Sequence, residues 1–391
     1  MKNFTEIKNQ YDQNVLTTYG RLPVAFIKGE NSRLWDSEGK EYVDFASGIG
    51  VNSIGYGNHK WVEAVSTQAA MLAHTSNLFY TQPAGELAAR LCALTGMKGA
   101  FFANSGAESN EGIIKTARKY SKDKYGEGRH TILTLEDSFH GRTITTLAAT
   151  GQDKFHHHFH PFTPGFVHVP QDITALESQG DDVCALLIET VQGEGGVIPL
   201  DTEFVQNAAK LCAQRDWLLL VDEVQTGVGR TGYWFGYQGI GITPDAISFA
   251  KGIAGGLPLG GFLVGEKLSK VLNPGDHATT YGGNPICCAA ALAVLDILEP
   301  ELPKIEEKGN YICDKIKAMN LPQVMGVRGK GLMLGVKLNI APAEVNAKLL
   351  KAGLVALTAG ADVLRFLPPL TISMEDINAG LEIFEKTMKC E

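Results

Sequence analysis

No stretch of this chain approaches the roughly 18 consecutive apolar residues that a membrane-spanning helix needs. The opening Met1-Lys2-Asn3-Phe4-Thr5-Glu6 lacks the apolar core of a signal peptide. Basic charge is also in short supply. The net charge of -8 argues against nucleic acid or an anionic membrane as the main partner. Seven cysteines, Cys92, Cys184, Cys212, Cys287, Cys288, Cys313 and Cys390, are odd in number and show no C-x-x-C spacing, so they read as reduced and structural. The chain has no internal repeat, no low-complexity segment and no G-x-x-x-x-G-K-[ST] phosphate loop. Together these absences lead us to expect a soluble, cytoplasmic protein.

With 391 residues, 44% of them hydrophobic, the chain can bury a large core, and its length suggests two or three domains. Short apolar runs at 100–103, 131–135, 185–188, 217–221 and 246–250 alternate with helical patterns at 85–94, 105–120 and 203–215. Strand and helix in alternation call for an α/β fold with a mostly parallel sheet and right-handed crossovers. Before it, a lead-in helix and a small meander with strands at 24–27, 32–35 and 41–45 are expected, then a flexible glycine cluster, Gly48-Ile49-Gly50-Val51-Asn52. After Gly275 a helix at 285–298 precedes mixed short elements, among them a glycine-spaced strand pair at 325–336 and the strand Leu364-Arg365-Phe366. The expected division is an N-terminal segment 1–50, a large domain 51–275 and a smaller α/β domain 276–391.

The chemistry gathers where the apolar runs stop. Trp217-Leu218-Leu219-Leu220-Val221 ends in Asp222-Glu223-Val224-Gln225, and Ala246-Ile247-Ser248-Phe249-Ala250 ends in Lys251. An acid and a lysine on neighbouring strand ends face the crevice where open α/β sheets bind ligands. A lysine can hold pyridoxal phosphate covalently, and an aspartate can keep the pyridine nitrogen protonated so that the ring draws electrons. At about 4 Å and an effective dielectric of about 20 the attraction is roughly 4 kcal/mol, about three pKa units. A turn cap and a solvated lysine would explain the same two residues taken alone. Ser105 and Glu108 form an S-x-x-E capping box opening a helix whose small Gly106 and Ala107 would let an anion reach the amides, although taken alone these residues favour an ordinary cap. Glu189 and Glu194 close another strand as an acid-base pair or as caps. Gly227-Val228-Gly229-Arg230-Thr231-Gly232 satisfies the dinucleotide fingerprint, but Tyr233-Trp234-Phe235 is a poor helical start. His156-His157-His158-Phe159-His160 has no nearby Cys, Asp or Glu to complete a metal site and reads as a polar loop.

Leu220-Val221-Asp222-Glu223-Val224-Gln225-Thr226-Gly227, the Gly229-Arg230-Thr231-Gly232 that follows, and Pro244-Asp245 through Lys251-Gly252 resemble the signature of class III pyridoxal-phosphate aminotransferases. Within the class, the chain from Tyr19 to Pro369 is most similar to the members that act on N-acetylornithine. The resemblance implies fold type I of the pyridoxal-phosphate enzymes and a homodimer with shared active sites. It also implies transfer of the terminal amine of N-acetylornithine to 2-oxoglutarate, in arginine biosynthesis. It matches Ser105, Gly106 and Ala107 to the phosphate site, Phe139 to the ring face, Gln225 to the phenolic oxygen, and Thr279 and Thr280 to residues reaching substrate and phosphate from the neighbouring subunit. Arg142 and Arg365 match carboxylate-binding arginines, and Glu194 a substrate-site residue expected to pair with Arg365. Ornithine aminotransferases carry a tyrosine near Ile49, so free ornithine is a less expected substrate. Succinylornithine or 4-aminobutyrate transfer, an aminomutase or decarboxylase on the same scaffold, and a non-enzymatic nucleotide-binding protein are the alternatives.

Overall fold

The computed structural model describes residues 2–390. A capped helix, Phe4–Asn14, leads into an antiparallel meander of β1 (Phe26–Glu30), β2 (Arg33–Asp36) and β3 (Glu41–Asp44). β1 begins two residues later than expected because Pro23 turns the chain and Val24 spends its N–H on Leu22 O at 2.8 Å. The glycine cluster is not a loose connection. Ser47, Gly48, Ile49 and Gly50 have φ of 42°, 62°, 66° and 75°, one wound left-handed turn. Asp44 Oδ1 holds its start by accepting from Ala46 N at 2.7 Å and Ser47 N at 2.9 Å.

The central sheet takes β4 (Gly99–Ala103), β5 (Thr131–Leu135), β6 (Phe166–Val169) and β7 (Val183–Glu189), and, beyond the small hairpin of β8 (Val191–Gln192) and β9 (Ile198–Pro199), β10 (Leu218–Asp222), β11 (Ala246–Phe249) and β12 (Gly260–Val264). Its order is β4-β12-β11-β10-β7-β5-β6. The strands from β11 through β6 pair in parallel, and β12 runs antiparallel to both of its neighbours. Alternation along β10 explains why its run is wholly apolar. Leu218 and Leu220 pack with Ile113, Ile114 and Ala117 of the Gly106–Tyr125 helix, while Leu219 and Val221 share the other core with Val205, Ala208 and Leu211 of the Thr202–Arg215 helix. Each fully buried leucine contributes about 1.5–3 kcal/mol, so the strand is fixed from both faces.

The rest of the chain forms a second, antiparallel sheet of β13 (Val324–Lys330), β14 (Met333–Leu338), β16 (Leu357–Ala359) and β17 (Val363–Phe366), while β15 (Leu354–Val355) joins β3 of the meander in parallel. The Pro285–Leu298 helix lies after residue 275 yet packs on the His59–Met71 and Gln82–Thr95 helices. We keep 1–50, 51–275 and 276–391 as a proposed division of the chain, with this helix reaching back across the second boundary. Gly227 to Gly232 opens no long helix; the next is Gly236–Ile240, five residues long. Arg230 is instead a buried strut from that turn to the second sheet, its Nη1 donating to Leu332 O at 3.0 Å and Pro368 O at 2.6 Å. Burial lowers its pKa to about 9, against the pull of Asp44. Among the described residues no helix is long and apolar enough to cross a membrane, and no His, Cys, Asp and Glu cluster could hold a metal ion. His156 Nε2 lies 2.9 Å from Leu147 O. All seven cysteines are free, and Cys390 is exposed.

Candidate active site

Parallel pairing sets Glu189, Asp222 and Ser248 side by side at the carboxyl ends of β7, β10 and β11, with Lys251 three residues further on. The crevice above them is a cavity of about 430 Å³ lined by Ser105, Gly106, Ala107, Asn110, Phe139, Arg142, Asp222, Gln225 and Lys251, among others. Asp222 is buried, and four donors converge on its carboxylate. Asn110 Nδ2 at 2.7 Å and His140 Nδ1 at 2.9 Å meet Oδ2; Val224 N at 3.0 Å and Ser248 Oγ at 3.4 Å meet Oδ1. Lys251 has a left-handed φ of 47°. Burial holds its ammonium below the usual lysine range, with Glu194 opposing and Arg365 reinforcing the shift. A lysine so placed keeps more of its amine neutral and nucleophilic.

The Gly106–Tyr125 helix aims its N-terminus into the same cavity. Ser105 is its cap, Oγ accepting from Glu108 N at 3.3 Å, but the expected capping box does not close. Glu108 reaches one residue further back, Oε2 accepting from Asn104 N at 2.6 Å. First-turn amides have no partner within their helix, so those of Gly106 and Ala107 remain available to an anion. Gly106 is small for a reason beyond ligand access: a Cβ there would lie 2.6 Å from Val224 Cγ1.

Behind Gln225 and off the cavity lining itself, Arg365 Nη1 donates to Glu194 Oε1 at 2.6 Å and to Gln225 Oε1 at 3.1 Å, while the buried Arg365 Nε has no partner. Burial would raise the Glu194 pKa, but Arg365 and Lys251 outweigh it and hold the carboxyl below the usual range. Phe139 is half-buried and Arg142 exposed on the cavity wall. Thr279 accepts from Asn104 Nδ2 at 3.3 Å, but neither it nor the exposed Thr280 lines the cavity. Lys251, Asp222, Gln225, Phe139, Arg142 and the Ser105-Gly106-Ala107 turn thus meet in one chain, with the Glu194 and Arg365 pair joined through Gln225; the two threonines stand outside.

Asn110, His140 and Val224 were not singled out as site residues from the sequence. His140 sits inside Phe139-His140-Gly141-Arg142 and carried a signal, a polar ring in a half-apolar stretch. Asn110 carried none, since only the fold brings a helix residue under the end of β10. Glu189 stands on the cavity wall and caps two backbone amides, as one of its two sequence readings expects. Its oxygens accept from Phe139 N at 3.0 Å and Gly193 N at 3.3 Å, and burial pushes its pKa up to about 7 against the pull of His140.

The donor set suits a phosphorylated pyridine: a lysine whose ammonium form burial disfavours, an oriented carboxylate for a ring nitrogen, free helix amides for a phosphate, and a cavity walled by Phe139 and Val224. Fold and site define the class, a pyridoxal-phosphate enzyme on a mostly parallel α/β sheet. Residues 16–388 match the family model of class III aminotransferases, and the chain belongs to that family. The acetylornithine aminotransferase of Haemophilus ducreyi is 48% identical over 386 residues, 97% of this chain and 98% of that one. The crystal structure of an acetylornithine aminotransferase from Elizabethkingia anophelis superposes with a TM-score of 0.89 at 32% identity, covering 100% of both chains. A structure of the ornithine aminotransferase from Toxoplasma gondii, with partial occupancy of PLP at its active site, superposes at 0.95 with 29% identity, covering 100% of this chain and 95% of that one.

Proposed function

We propose that the enzyme carries the terminal amine of N-acetylornithine to 2-oxoglutarate, giving N-acetylglutamate 5-semialdehyde and glutamate, as a step of arginine biosynthesis. Likeness to the Haemophilus ducreyi enzyme over nearly all of both chains supports this substrate. So does the lack of a tyrosine around Ile49, near which ornithine aminotransferases carry one, on the turn leading to the cavity residue Val51. Bound pyridoxal phosphate supplies an electron-withdrawing ring that acidifies the hydrogen on the amine-bearing carbon. Lys251 holds the cofactor and then carries that proton away from the donor carbon. Asp222 would keep the ring nitrogen protonated, Gln225 donate to the phenolic oxygen, Phe139 cover the ring, and Ser105, Gly106 and Ala107 take the phosphate.

The observation that carries this reading is the Arg365 to Glu194 ion pair at 2.6 Å, its arginine side chain 3% exposed. An enzyme of this kind accepts two unlike donors: glutamate, with a carboxylate on the reacting carbon, and an ω-amine, with none. Arg365 would bind that carboxylate while Arg142 takes the distal one. With the ω-amine bound, a bare buried guanidinium would cost several kcal/mol, which Glu194 offsets by pairing with it. Glu194→Ala is therefore expected to slow the single-turnover half-reaction with N-acetylornithine while sparing or speeding that with glutamate. An equal loss for both donors would reduce Glu194 to a structural cap.

Two further features belong to the same proposal. Free cysteines, several of them buried, support a reducing, cytoplasmic setting. Leu78, Tyr80 and Tyr281 are 88%, 107% and 66% exposed on segments joined by Asn77 Nδ2 donating to Gly282 O at 2.8 Å. This apolar face beside Thr279 and Thr280 supports a homodimer in which those threonines enter the site of the second copy.

A further inference from the structure

Arg142 has to meet a carboxylate at the exposed wall of the cavity, yet among the described residues it makes no hydrogen bond and no ion pair. Two aromatic rings hold it instead. Its guanidinium carbon lies 4.3 Å from the centroid of Phe155 and 5.5 Å from that of Phe139, and the two rings meet edge to face at 5.8 Å. An arginine fixed by ring faces keeps all five of its N–H donors for a ligand. Phe155 is itself braced. Its N–H donates to Gln152 O at 3.0 Å, and the buried Gln152 donates through Nε2 to Ser138 O at 3.0 Å, one residue before Phe139. Lys154 Nζ lies 4.9 Å from the same centroid, so the ring faces two cations.

We propose that Phe155 is a positioning residue that aims Arg142 at the distal carboxylate common to N-acetylornithine, glutamate and 2-oxoglutarate, and so selects donors and acceptors carrying that group. The proposal rests on Arg142 being the carboxylate ligand. Phe155 does not line the cavity and touches the substrate only through Arg142.

The test uses the cofactor-loaded enzyme and glutarate, a dicarboxylate that cannot react. Phe155→Leu keeps an apolar side chain and removes the π face. It should weaken glutarate binding in calorimetry about two- to fivefold, and raise KM for N-acetylornithine and 2-oxoglutarate alike with kcat unchanged. Phe155→Tyr should bind glutarate as the wild type does. In an Arg142→Ala background Phe155→Leu should have no further effect, and the half-reaction with n-butylamine, which has no carboxylate, should not respond to Phe155→Leu. Unchanged glutarate binding by Phe155→Leu, an additive loss in the double variant, or an equal loss with n-butylamine would each overturn the proposal. If Arg142→Ala alone binds glutarate normally, the reading of Arg142 falls as well; if it binds weakly while Phe155→Leu does not, only the role of Phe155 falls.

Discussion

Asp222 and Glu223 are consecutive carboxylates at the end of β10, and the strand's alternation sends them to different tasks. Asp222 meets the cavity, whereas Glu223, fully buried, accepts from Thr226 Oγ1, from Gly236 N at 2.9 Å and from Tyr237 N at 2.7 Å, pinning the turn that follows. Burial pushes its pKa up to about 7 despite those donors. The folded chain therefore keeps a proton between about pH 4.5 and 7 that the unfolded chain gives up. The stability this contributes is whole below the unfolded value and is lost as pH rises through the folded one. Across that window the wild type should lose on the order of 3 kcal/mol relative to Glu223→Gln, whose side chain cannot titrate. Urea unfolding of both at pH 5 and pH 8 measures it, and parallel pH dependences would refute it. Lys251 and Asp222 were legible in the sequence because each ends an apolar run, a local signal. The work of Glu223, like that of Asn110 and His140, depends on partners that only the fold supplies.

Among the elements, the Gly106–Tyr125 helix links the sheet to the site, and its glycines decide how closely it lies. A Cβ on Gly112 would stand 2.2 Å from the Phe262 ring on β12. Ala in place of Gly improves helix propensity by about 1 kcal/mol, but overpacking costs about 1–3 kcal/mol and a contact so short puts it at the upper end. Gly112→Ala should thus destabilise the protein by about 1–2 kcal/mol net. Because the same helix carries Gly106 and Ala107, it should also weaken pyridoxal-phosphate retention in dialysis. Gly85→Ala, in the Gln82–Thr95 helix with open space around it, should stabilise by about 0.5–1 kcal/mol. Thermal unfolding of the pair decides the matter; a shift of the same sign in both would mean that packing on Phe262 does not govern the helix. Strands buried on both faces and long amphipathic helices were read from periodicity alone. The left-handed turn at 47–50 was not, since a β-branched Ile49 at φ 66° contradicts local preference and persists because Asp44 anchors the turn.

At the scale of the whole molecule, one chain brings together almost the entire site but leaves Thr280 exposed and away from the cavity. A threonine that completes a phosphate site from there must do so in another copy, and the apolar face around Leu78, Tyr80 and Tyr281 is the surface available to bring that copy near. Lys251→Ala removes the residue proposed to hold the cofactor and proton; a Thr280 variant removes the contribution proposed across the boundary. In the proposed homodimer, each variant alone is then deficient at both sites. In a hybrid the two defects fall together in one site, and the other site is whole. Random exchange of equal amounts gives about half hybrids, so about one quarter of the wild-type sites should return. Turnover of N-acetylornithine measured after dissociation and remixing tests this, with sedimentation confirming exchange. No recovery in mixtures that contain hybrids would place Thr280 in the site of its own chain, and a fully active monomer would remove the shared site altogether.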